Sequence, residues 1–97
     1  MLTVPTSLDG PEQIRSLGEE AVALARDLDN AYLIASILSA YGRSLVLVDV
    51  DEALTLLQES YVMARTGKMR YLEAAVAREI AGVEAIHGHG ELSLIHI

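Results

Sequence analysis

The spacing that most resembles a metal site in this chain is His87 and His89, with Glu91 two residues further on. An imidazole pair at i and i+2 on the turn Gly88-His89-Gly90 suits zinc, copper or nickel, but chelates weakly by itself. A tetrahedral site needs further ligands. The one other histidine, His96, stands in the closing apolar tail, so the pattern predicts a solvated turn and no metal. Asp49, Asp51 and Glu52 form one acidic cluster, and Glu19 and Glu20 another. Paired carboxylates do acid–base work when burial or mutual repulsion separates their pKa values. Both clusters fall in first helical turns or on exposed faces, where acids cap helices and face water, so capping is the expected role. Serines occur singly, without a nearby His and Asp. No glycine-rich phosphate loop, nucleophile elbow or His-Glu-x-x-His is present. Cysteine is absent, which excludes disulfides, thiolate zinc and thiol catalysis. Neither an enzyme nor a cofactor is expected.

The charge balance bears on partners. Seven Lys and Arg stand against 14 Asp and Glu, a formal charge of −7. Interspersed charge of that sign repels phosphate backbones and anionic lipid, so direct nucleic-acid binding is not expected. Residues 31–48 are the most apolar stretch, but Arg43, three serines and two tyrosines lie inside it and no basic cluster flanks it. It reads as a buried helix, with no membrane partner. The start, MLTVPTSLDG, lacks the basic and apolar regions of a signal peptide, so the expected location is the cytoplasm.

The elements that would position these residues are helical. The 97 residues suit one small domain. They are 52% apolar, contain no Phe or Trp, and have both prolines within the first 11 positions. Mean hydropathy is +0.33, too apolar for a disordered chain. Residues 1–10 are expected to be a flexible lead. Pro11 suits a first helical turn, and Ile14, Leu17, Ala21, Leu24 and Leu28 keep helical spacing, predicting a helix over 11–28. Asn30 is a plausible N-cap for a second over 31–47. Asp49, with Glu52 three residues on, makes an acidic capping box for a third over 50–66. Gly67 is expected to end it in the left-handed conformation. A fourth spans 69–87. Turns this short force neighbouring helices antiparallel, leaving a closed bundle or a row of helical hairpins.

Internal repetition separates the two. A shift of 39 residues aligns Leu17 with Leu56, Glu20 with Glu59, and Ala25-Arg26 with Ala64-Arg65. It also aligns Tyr32-Leu33 with Tyr71-Leu72, and Ala35 with Ala74. A bundle has no reason to repeat a helix–turn–helix corner at fixed period, whereas a stacked row does. For the repeated Arg26 and Arg65 the expected role is to complement helix C-termini. For Tyr32 and Tyr71 it is to wedge the corner between repeats.

The stretch AYLIASILSAYGRSLVLVDVDEALTLLQESYVMAR resembles a tetratricopeptide-type repeat. Gly42 falls at that motif's first-helix glycine, Ala53 at its second-helix alanine, and Ser60 at its second small position. Gly82, 40 residues on, takes the glycine position of the next repeat. The turn Val48-Asp49-Val50-Asp51 is one residue shorter than the motif's, and the motif's aromatic positions are mostly aliphatic. The period near 39 resembles a long-repeat subclass found in MalT-like and LuxR-type bacterial regulators and in ATPase-linked signalling proteins. The resemblance implies an all-α, right-handed solenoid of about two repeats over residues 11–91, and a scaffold that binds a protein, a peptide or a small effector. It places the ligand on the concave face, at Ser36, Ser39 and Arg43 counted from Gly42, and at Glu79 counted from Gly82. It also makes the chain a piece of a larger regulator, with apolar faces at both ends able to self-associate. The alternative is a free-standing four-helix protein that homodimerises through those faces. Residues 92–97, LSLIHI, resemble a translated sequencing adapter and are expected to be a non-native tail.

Overall fold

The computed structural model describes residues 10–86, which form four α-helices with no strand among them. They are α1 (Gly10–Asp27), α2 (Ala31–Ser44), α3 (Val50–Thr66) and α4 (Arg70–Ile86). Residues 1–9 of the predicted lead, the histidine turn at 87–90 and the tail at 92–97 lie outside the described residues. Gly10 belongs to α1 rather than to a lead, and Pro11 sits in its first turn as expected.

The polar residues ahead of α2 and α3 act as N-caps. The Asn30 side chain accepts from the Leu33 N–H at 3.0 Å, and Asp49 accepts from Glu52 N–H at 3.1 Å, each satisfying an orphan amide of the first turn. The capping box is only half formed. The Asp49 N–H donates to the Leu45 carbonyl, and the Glu52 carboxylate turns instead to Arg15 of α1.

Two helix ends differ from the sequence expectation. α2 stops at Ser44, three residues early, and Leu45–Val48 form a turn held by N–H bonds from Leu45 to Gly42 and from Val48 to Leu45. The apolar pattern runs on through this turn because Leu45 is fully buried there. At the end of α3, Gly67 has φ −82°, and the left-handed residue is Lys68 at φ 58°. A Cβ on Gly67 would lie 2.8 Å from the movable tip of Met69, Cε, and 3.3 Å from the Met63 carbonyl oxygen, a moderate crowding.

That corner occurs twice. Asp29, 39 residues before Lys68, has φ 51°. Leu28 N–H bonds to Leu24 and Asp29 N–H to Arg26; Gly67 N–H bonds to Met63 and Lys68 N–H to Arg65. Both bonds recur at the 39-residue spacing, and Met69 N–H to the Ala64 carbonyl completes a Schellman closure at the second corner. Ala25 and Ala64, aligned by the same shift, are both fully buried.

Each helix packs on its neighbours in sequence, α2 also touches α4, and α1 makes no such approach to α4. Adjacent helices are antiparallel: Gly42 lies against Ala53 and Leu57, while Ser60 reaches back to Ala35. Alternate helices are bridged by ion pairs in ascending order, Arg15–Glu52 and Arg26–Glu59 between α1 and α3, which makes these two parallel. The core is accordingly three small clusters strung along the row. Leu57, Leu54, Val76 and Val83 join α3 to α4. Ala25, Ile34 and Leu38 join α1 to α2. Tyr41, Leu45 and Ala53 lie between, with Ile14 of α1 against them.

Small residues permit this closeness. A Cβ on Gly42 would meet Leu57 Cγ at 3.0 Å and the Ala53 carbonyl oxygen at 3.1 Å. Ala53 and Ser60 are fully buried, and the Ser60 hydroxyl donates to the Ala35 carbonyl at 2.7 Å. Gly82 differs from Gly42 in having nothing within 4 Å of its Cβ position. Tyr32 and Tyr71 do not wedge the corners: they are 60% and 87% exposed. The inward positions just after each corner belong to Leu33 and Leu72, and the backbone bonds already close the turn.

Candidate functional site

A groove of about 440 Å³ lies between the parallel helices α2 and α4. α2 contributes Arg43, the turn after it Val46, and α4 contributes Ala75, Arg78 and Glu79, with Ile86 at one end. Helical spacing explains the set, since 75, 78, 79, 82 and 86 fall on one face. Arg43 Nη1 lies 3.7 Å from Glu79 Oε1 across the groove. Both side chains are partly exposed, so this bridge stays open to exchange with a charged ligand. Arg78 is exposed and has no ion-pair partner among the described residues. A groove with two guanidiniums, one carboxylate and apolar walls can take an extended apolar segment that carries a carboxylate.

Of the four positions assigned to a ligand face, two meet here, Arg43 and Glu79. Ser39 is buried and does not line the groove. It shares a helical face with Ala35 and Gly42, and α3 covers that face. Ser36 is half-buried and also outside the groove lining. Arg78, Val46 and Ile86 were missed, although counting by helical turns from Gly82 reaches both Arg78 and Ile86.

The acidic cluster is bound up in structure. Arg15 of α1 lies 3.1 Å from Glu52, 3.7 Å from Asp49 and 3.4 Å from Glu12. Hydrogen bonding to Glu52 raises the guanidinium's pKa above its ordinary value; burial opposes this, and the fields of Glu52, Glu12 and Asp49 add to it. Asp49 is further occupied as a cap. Among the described residues no three His, Asp or Glu side chains gather to hold a metal ion. No helix there is long and apolar enough to cross a membrane.

A second groove of about 330 Å³ runs between α1 and α3 with α2 as its floor. The Arg26–Glu59 pair, 3.1 Å apart, spans it, and Tyr41 and Leu38 lie beneath. Tyr41 is buried and its hydroxyl has no hydrogen-bond partner among the described residues. Burial raises the phenol's pKa, and the fields of Glu52 and Glu19 raise it further, against a smaller opposing effect of Arg15. Replacing Tyr41 with Phe is therefore expected to stabilise the fold by about 1 kcal/mol, because it removes an unsatisfied buried hydroxyl. The pH dependence follows in sign. The folded pKa exceeds the unfolded value of about 10, so the neutral phenol's contribution is whole below that pH. It is lost as pH rises through the folded pKa. Urea melts of the two proteins should therefore show the variant's advantage widening above about pH 10.

Comparison with known protein families, curated proteins and solved structures finds no match to this chain.

Proposed function

We propose that residues 10–86 are a stretch of right-handed, tetratricopeptide-type solenoid that binds a protein, a peptide or a small effector along the α2–α4 groove. The scaffold serves in a cytoplasmic, multidomain bacterial transcriptional or signalling regulator, and its role is recognition rather than catalysis. The observation that carries the reading is the corner repeated at 39 residues, with left-handed Asp29 and Lys68 and the same backbone bonds. The close contact of Gly42 with Ala53 supports it, as does the buried Ser60 at the second small position. A preformed groove binds without a large ordering cost, which suits an extended ligand.

A second reading, a free-standing protein that homodimerises, draws on the exposed apolar side chains of the first and last helices, Leu24 on α1 with Leu28 just after it, and Ile86 on α4.

Panning a displayed library of random peptides against the protein tests the binding reading. Enriched sequences should pair apolar residues with a carboxylate. Arg43→Glu and Arg78→Glu should each weaken them by about tenfold, the scale of one charge-assisted contact, without loss of helicity. Enriched peptides that bind both variants as tightly as the parent would rule out this groove.

A further inference from the structure

Among the described residues, the Tyr41 hydroxyl is the only buried polar side-chain atom without a hydrogen-bond partner. The residue is 7% exposed. Native folds rarely leave such a group unpaired, and phenylalanine would fill the same space without the deficit. The hydroxyl is thus a cost to the fold, of the kind that binding sites carry where stability and function conflict. Gly18 makes room for the ring, since a Cβ there would stand 2.4 Å from Tyr41 Cδ1.

Two grooves share this ring as a wall. The one between α1 and α2, along Ile14, Leu17, Ala21 and Ile37, has no charged residue in its lining. The one between α1 and α3 has Glu19 near Tyr41, and the Arg26–Glu59 pair two turns further along α1. The fields of Glu52 and Glu19 on the phenol each exceed the opposing field of Arg15. The hydroxyl therefore belongs to an electronegative end of the α1–α3 groove.

We propose that the α1–α3 groove binds a small organic cation, an ammonium group on a compact apolar body. The ammonium donates a hydrogen bond to the Tyr41 oxygen and lies beside Glu19. The body runs along Val22, Leu38 and Leu56 and ends at the Arg26–Glu59 pair, about 10 Å from Glu19 along α1. A volume of about 330 Å³ suits a ligand of that size. The hydroxyl is out of contact with water, so the ammonium reaches it by displacing rim side chains, of which Glu19 is exposed and free to turn. The net charge of −7 favours a cation over an anion at this spot. The inference is independent of the α2–α4 groove, which lies on the other pair of alternate helices.

Titration of the full chain with phenethylammonium, followed by methyl NMR, tests it. Saturable binding is expected, with shifts at the Val22, Leu38 and Leu56 methyls and an affinity that falls as salt is raised. The anionic analogue 3-phenylpropionate should not bind. Tyr41→Phe should weaken binding about tenfold, although that variant folds more stably than the parent. Glu19→Gln should weaken it about threefold. A tyrosine with a merely structural role would leave the affinity of the Phe variant unmoved, and that result would overturn the proposal. Equal binding of the two probes, or no saturation by about 10 mM, would overturn it as well. Shifts confined to Val46, Val83 and Ile86 would place the cation in the α2–α4 groove and also refute the assignment. Every variant here leaves Arg43 and Arg78 intact, so failure does not touch the reading of that other groove.

Discussion

Replacing Leu57 with alanine is expected to cost about 3–4 kcal/mol, within the range for emptying a fully buried leucine site. The side chain has no exposed surface and packs with Leu54, Val76 and Val83 at the α3–α4 contact. Its Cγ also lies 3.0 Å from the Cβ position of Gly42, so the same leucine seals α2 against α3. Three helices therefore line the space it would leave, and a row with three small clusters has little surplus side-chain volume to refill it. Small domains are stable by only about 5–15 kcal/mol, so the loss is a large share of the whole. Urea unfolding should show a much lower midpoint with the slope unchanged. Val62→Ala, at an exposed position on the same helix, should move the midpoint by no more than about 0.5 kcal/mol equivalent.

Valine at Gly18 is expected to destabilise by about 3 kcal/mol, the upper part of the range for overpacking. A Cβ there would stand 2.4 Å from Tyr41 Cδ1 and 2.5 Å from Cγ, inside the ring's van der Waals surface. The atoms met lie at the root of the ring, so a small tilt of the side chain does not clear them. Tyr41 packs with Leu45, Ala53 and Ile14, so displacing the ring breaks those contacts. Adding Tyr41→Ala should recover much of the loss, which a double-mutant cycle by thermal melting would read as a coupling of about 1–2 kcal/mol. If Gly18→Val instead melts with the parent, α1 does not lie on α2 in the register described.

How much could be read from the residues differed from element to element. Asn30 and Asp49 were legible as caps because a short polar side chain ahead of an apolar run has one local use. The all-helical class and the four-helix order were legible for a similar reason: alanine-rich segments with 3.6-residue spacing alternate with short polar breaks. The end of α2 was not, since Leu45 continues the apolar pattern and is fully buried although it lies in the turn beyond the helix. Gly67 misled because glycine's common use at a helix end is its left-handed freedom, whereas here Lys68 takes the left-handed conformation. Gly18 carried no signal by itself, as its meaning depends on Tyr41, 23 residues away in sequence. In the groove, Arg43 and Glu79 could be counted from the two helical glycines. Ser39 could not be sorted from them, because the repeat motif gives the position along α2 but α3 decides which side it covers.

The account stands or falls on an open row in which Gly42 is covered by α3 while Gly82, on the groove face of α4, is uncovered. Alanine in an exposed helix interior gains about 0.8–1 kcal/mol over glycine. Chemical denaturation of both Gly→Ala variants at low protein concentration measures the difference directly. Gly82→Ala should be more stable than the parent by about that amount, because its Cβ position is open. Gly42→Ala should be less stable by about 1 kcal/mol, the crowding of Leu57 and the Ala53 carbonyl outweighing the same helical gain. Opposite signs are the predicted result. Equal losses at both sites would mean that Gly82 is covered as Gly42 is, which contradicts an open row of repeats and points to a closed bundle.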